Sequence, residues 1–209
     1  VSASFERLAE DGNTGPVMSD FAASGAGTVQ GALMGNTMGN IAPGETTSQV
    51  FNVDGSLSTS RYFSFATMVI PSNDAFVGND DPTMYQVFDS SGNFVGASFT
   101  IAGSQVLDAG SEVNTELPMD TAFFGQTVPN TGPDENGVVH IHPGYKPKGS
   151  GGILDDPMFA NANFKASGYE IAQITVSEVP EPSALLLFAM GACVLLLVVF
   201  RRRRSFQQK

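Results

Sequence analysis

An all-β domain, an antiparallel β-sandwich, followed by one C-terminal transmembrane helix is the fold class this sequence predicts, and three observations carry it. The 209 residues include 23 Gly and 12 Pro, no Trp and only 15% charged side chains, a composition of short elements joined by turns rather than of long helices. Stretches that alternate apolar and polar residues recur ahead of residue 178, each closed by Pro, Gly or Asn. Residues 183–200 then carry no charge and are followed at once by four arginines. The length suits one domain with an appendage.

In chain order, the first strand signal is residues 61–70 (RYFSFATMVI), stopped by Pro71. Residues 86–89 (QVFD) turn at Ser90, Ser91, Gly92 and Asn93 into Phe94 and Val95, a hairpin pattern. Residues 138–142 (VVHIH) stop at Pro143 and Gly144, and residues 169–176 (YEIAQITV) form the last strand. Strands spaced in this way suggest a sandwich. Residues 21–40 are rich in Gly, Ala and Ser and carry Met-Gly-Asn twice, and they read as an irregular loop.

The formal net charge is −11, and Arg201, Arg202, Arg203, Arg204 and Lys209 all lie behind the apolar run. Ahead of it, five basic residues face 21 acidic ones. Such a surface repels nucleic acid and anionic headgroups, so no nucleic-acid partner is expected, and metal ions are the natural ligands. Cys193, the single cysteine, sits inside the apolar run, leaving packing or bound ions to stabilise the domain.

At about 1.5 Å per residue, the run from 183 to 200 is just long enough to cross a bilayer core about 30 Å thick. The adjoining arginines argue against a buried core helix and keep residues 205–209 cytoplasmic, with the acidic domain outside. The chain opens at Val1 without a charged-then-apolar leader, so a signal peptide is expected upstream. Just before the run stands Val179-Pro180-Glu181-Pro182, whose prolines keep the backbone extended for a processing enzyme's cleft. Motif, apolar helix and arginine cluster together resemble the PEP-CTERM sorting signal of Gram-negative bacteria, over residues 179–204. The resemblance implies recognition of Pro180, Glu181 and Pro182, with Arg201 and Arg202 opening the cluster, by an exosortase that cuts near the motif. It also implies an inner-membrane precursor and a mature protein in the envelope, at the cell surface or outside the cell. A single-span anchor with a proline-rich stalk is the competing reading.

Residues 3–12 (ASFERLAEDG), 70–78 (IPSNDAFVG), 106–112 (VLDAGSE), 137–145 and 156–164 (DPMFANANF) follow one another in an order that resembles the spondin N-terminal domain, over residues 1–178. The resemblance implies an extracellular sandwich whose first strand lies upstream of Val1, and a calcium site. The family's acids map onto Asp74, Asp108 and Glu112. Glu112 stands where Asp is commoner, and Ala75 and Leu107 replace the usual tryptophans. Calcium takes six to eight oxygen ligands, which acids in two loops at one sandwich end can supply. The plainer reading is that Asp74 caps a turn and that Asp108 and Glu112 are solvated.

His140 and His142 alternate on a strand and share a face, a spacing that holds a transition metal if a third ligand joins them. A metal-dependent envelope hydrolase is therefore a rival reading, as is a ligand-free structural coat protein. No Gly-x-Ser-x-Gly elbow is present, and an enzyme is not expected. The expected function is adhesion or matrix association through an unidentified extracellular polysaccharide or protein.

Overall fold

Ser2 and Gly12 bracket nine residues that form a helix that strand alternation does not predict. The Ser2 hydroxyl accepts the Phe5 amide at 3.2 Å, and Gly12 turns left-handed at φ +67°. The amides of Gly12 and Asn13 return to the carbonyls of Leu8 and Arg7, each at 3.0 Å, closing both ends of an α-helix. This helix, α1 (Ala3–Asp11), leads into α2 (Gly15–Ser24), which has Pro near its start. The computed structural model describes residues 1–36 and 38–179. Within them the domain is β-rich, and the two helices correct the all-β expectation. Residues 21–24, expected in a loop, belong to α2, which Gly25 ends at φ +67°.

Among the described residues, eight short strands form three sheets: β1 (Tyr62–Phe63) with β4 (Tyr85–Gln86); β2 (Ala66–Met68), β3 (Ala75–Gly78), β6 (Leu107–Asp108) and β7 (His140–Ile141) in that order; and β5 (Ala97–Ala102) with β8 (Glu170–Val176). All pairs are antiparallel. The expected strand over 61–70 is two strands with different partners, and Asn79 is the reason. Its carboxamide accepts the Phe65 amide at 3.0 Å and donates to the Phe63 carbonyl at 3.1 Å, replacing a ladder partner at the break. The hairpin near residue 90 forms as a Phe88–Phe94 bridge, its turn held by Asp89, which accepts the amides of Ser91 and Asn93. Strand β5 carried no earlier signal, although its apolar Phe99 and Ile101 alternate with Ser98 and Thr100.

Successive residues of a strand point to opposite faces, and the two faces of the four-stranded sheet are covered differently. Phe76 and Leu107 meet α1 through Ala9 and Phe5, with the Phe5 and Phe76 rings edge-on at 4.7 Å. Ala75 and Val77 join Ile101, Val106 and Phe164, against which Phe99, Ile171 and Ile174 of the β5–β8 ribbon pack. The layers are helix, sheet and ribbon. The Phe164 ring lies edge-on to those of Tyr145 at 4.8 Å and His142 at 5.2 Å. The polar end of the sheet is thereby fixed to its apolar centre.

The apolar run 183–200, with Pro180, Glu181, Pro182, Arg201 and Arg202, lies outside the described residues. Among those described, no helix is long and apolar enough to cross a membrane. Phe164→Ala should cost about 3–5 kcal/mol, the usual penalty for emptying a buried aromatic site, whereas Met158→Ala at the exposed surface should stay within about 0.5 kcal/mol. Urea unfolding of the two variants checks this, and equal midpoints would refute the assigned core.

Candidate metal centre

Strands β3 and β6 pair with Ala75 opposite Asp108, so Asp74 at the mouth of β3 and Asp108 at the end of β6 meet at one end of the sheet. The chain then reverses at Gly110, whose φ of +67° favours glycine and where a Cβ would stand 2.7 Å from the backbone of Val138. The Gly110 amide donates to Asp108 Oδ1 at 2.8 Å. After the reversal, the Gly137 amide donates to the Gly110 carbonyl at 2.7 Å and the Glu135 amide to the Ser111 carbonyl at 2.9 Å. Residues 133–137 are thereby held beside residues 110–113. One oxygen each from Asp74, Asp108 and Glu135 consequently lies within 4.8 Å of the others.

Asp74 and Asp108 are both 0% exposed. Asp74 Oδ2 accepts the amides of Ser111 at 2.8 Å and Glu112 at 3.1 Å, and the Ser111 hydroxyl at 3.1 Å. Its other oxygen, Oδ1, is buried and finds no hydrogen-bond partner among the described residues. Burial, with the negative charge of Asp108 adding to it, pushes the Asp74 carboxyl up to about 6. A desolvated acceptor of this kind is costly unless something positive completes it. Hard oxygens from three carboxylates suit a divalent cation such as calcium.

Glu112, expected as the third acid, is beside this group through its backbone, but its carboxylate takes another direction. Asn73 Nδ2 donates to its Oε2 at 3.4 Å, and its Oε1 lies against Gly132, where a Cβ would be only 1.6 Å away. Glu135, which the sequence reading did not single out, is the acid grouped with Asp74 and Asp108. Its signal was spread over residues 130–137, where turn residues fold a distant acid back onto the Asp108 loop. Asn73 and Asn114 were missed as well. Asn73 bridges Glu112, the Asp120 carbonyl and the Glu116 amide. Asn114 joins Asp108 to His142.

His140 stands opposite Asp108 in the β6–β7 register, and both histidines hold Nε2 3.9 Å from Asp108 Oδ2. Their shared face is therefore real. At His142, Nδ1 accepts the Gly144 amide at 2.9 Å. A backbone amide can only donate, so Nε2 carries the proton and gives it to Asn114 Oδ1 at 3.2 Å, while Asn114 Nδ2 donates to Asp108 Oδ2 at 2.5 Å. Burial holds the imidazolium of His142 down to about 4, so the ring is neutral with both nitrogens engaged. A metal ligand needs a free lone pair, and His142 has none in this arrangement.

Residues 178–204 match the PEP-CTERM protein-sorting motif. No curated protein and no solved structure matches the chain. The motif implies an exosortase-processed protein, first anchored at the membrane and then extracellular or at the cell surface.

Glu10 and Glu112 add a titration that can be measured without any ion. Burial raises the first to about 7 and the second to about 8, both above the ordinary 4.5. A carboxyl raised on folding contributes stability that is present below its unfolded value and lost as pH rises through its folded one. With a chelator present, the urea midpoint should fall between pH 5 and pH 8.5, and Glu112→Gln should flatten the fall. A midpoint that rises over that window would contradict the burial of these acids.

Proposed function

We propose that the chain is an exported bacterial surface protein whose domain is of the spondin N-terminal type and acts in adhesion or matrix association around a bound calcium ion. The β5–β8 ribbon and the four-stranded sheet are the two halves of the sandwich that this reading requires. Asp74 and Asp108 hold the ion, Glu135 supplies a third carboxylate, and Glu112 adjoins it. The exosortase removes the segment after the Pro180-Glu181-Pro182 motif, and the acidic domain is the part that works outside. Its partner is an extracellular polysaccharide or protein, and no catalytic step is assigned to it.

The observation that carries this reading is the meeting of two fully buried aspartates with Glu135, where Asp74 Oδ1 has no hydrogen-bond partner among the described residues. A hydrolase built on His140 and His142 is less well supported, since both His142 nitrogens are already occupied.

Calcium at a hundredfold excess over its Kd should stabilise the protein by about 2.7 kcal/mol, and Asp74→Asn with Asp108→Asn should remove that gain. Thermal melts with and without calcium test it, and an unchanged gain in the double variant would sink the assignment. Mass spectrometry of cell-associated material should show mature protein ending near residue 182, and recovery of mature chains extending to Lys209 would contradict processing.

A further inference from the structure

His140 is an exposed neighbour of the carboxylate group, and its ring has a nitrogen to spare. Strand register places it opposite Asp108. Its Nδ1 lies 2.9 Å from the Val138 carbonyl, and a carbonyl can only accept. Nδ1 therefore carries the proton, and Nε2 of the neutral ring holds a free lone pair. That Nε2 stands 3.9 Å from Asp108 Oδ2, too far for a hydrogen bond. Two ligands of one zinc ion, each about 2.0–2.2 Å from it, lie up to about 4.3 Å apart. The gap is of the size that an ion spans. Asp108 Oδ2 accepts from Asn114 Nδ2 and keeps a second lone pair. His142 is at the same distance, but its Nε2 proton goes to Asn114, so His140 is the ring free to ligate.

The oxygen ligands are already gathered. Asp74, Asp108 and Glu135 each bring one oxygen within 4.8 Å of the others, and the fully buried Asp74 Oδ1 has no hydrogen-bond partner among the described residues. His140 adjoins them on an edge strand of the four-stranded sheet, with its side chain 45% exposed. An exposed ring turns toward an ion at little cost, and Glu135, also exposed, leaves the ion a way in. Three carboxylates alone suit a hard cation. An imidazole nitrogen adds a ligand that zinc uses well and calcium does not. Three oxygens and one nitrogen supply the four positions of a tetrahedral zinc site.

We propose that His140 Nε2 completes the Asp74–Asp108–Glu135 group as a zinc site, so that zinc displaces calcium there. The proposal rests on that carboxylate group as the metal centre of the domain, and it assigns no catalytic step.

The test is metal titration of the full chain in detergent, by calorimetry with zinc chloride and with calcium chloride. Nitrogen-15 NMR of the rings accompanies it, since the chain has only two histidines. Zinc should bind at one ion per chain, displace bound calcium and shift the Nε2 resonance of His140. His140→Ala should weaken zinc at least about tenfold, as the loss of even an outer-shell partner does, and leave calcium binding unchanged. Asp108→Asn should lose both ions. If His140→Ala does not fold, the wild-type spectrum decides the matter, because the two rings are opposite tautomers and are told apart by their protonated nitrogens. Zinc bound equally by wild type and His140→Ala, with the His140 resonances unmoved, would overturn His140 as a ligand while the carboxylate centre stands. Zinc binding that leaves calcium in place would overturn the shared site. Neither ion bound by wild type would overturn the centre as well.

Discussion

Buried carboxylates with no buried lysine or arginine among the described residues are the constraint on which this domain turns. Glu10, Asp74, Asp108 and Glu112 lie at most 3% exposed where α1, β3 and β6 come together. Isolated ionised carboxylates cannot be taken from water at so little compensation. Backbone amides of Gly110, Ser111 and Glu112 satisfy part of the demand. The remaining oxygens must either hold protons or meet cations, and both answers make the folding of this region depend on solution conditions.

The same junction explains how the apolar layers are kept in register. Phe76 and Leu107 place α1 on one face, and Ala75 and Val77 place the ribbon on the other. Asp74 and Asp108 occupy the positions next to these residues in the chain, so any shift of the β3–β6 pairing would move the acids apart and the core faces out of place together. His142, bonded to Asn114 on its polar edge and packed edge-on to Phe164 on its apolar one, joins the two halves of that arrangement.

Much of this was legible in the sequence, and what was not has physical reasons. The strand at 169–176 and the turn after Asp89 follow from alternation and turn chemistry. The meeting of Asp74 and Asp108 was expected only through the family resemblance, since the residues by themselves read as a turn cap and a solvated acid. The break at residues 64–65 was hidden because it depends on Asn79, a side chain fourteen positions away. Helix α1 was readable from Ser2, Gly12 and the Phe5, Leu8, Ala9 spacing, but nine residues give a weak periodic signal. Glu135 escaped because it reaches the centre only when a distant segment folds back, and acidic residues near turns look alike until the chain is closed.

The ribbon's position at the end of the domain has a mechanical meaning. Strand β8 stops at Val176, and the sorting motif begins at residue 178. Force applied at Val176 thus enters the domain through β8. A pull along that strand loads the paired positions from Ala97↔Val176 to Ala102↔Glu170 in shear, so they share the tension rather than opening one after another. Ile171 and Ile174 pass the load on to the core around Phe164. Tension entering at Val176 is in this way spread along the length of the last strand.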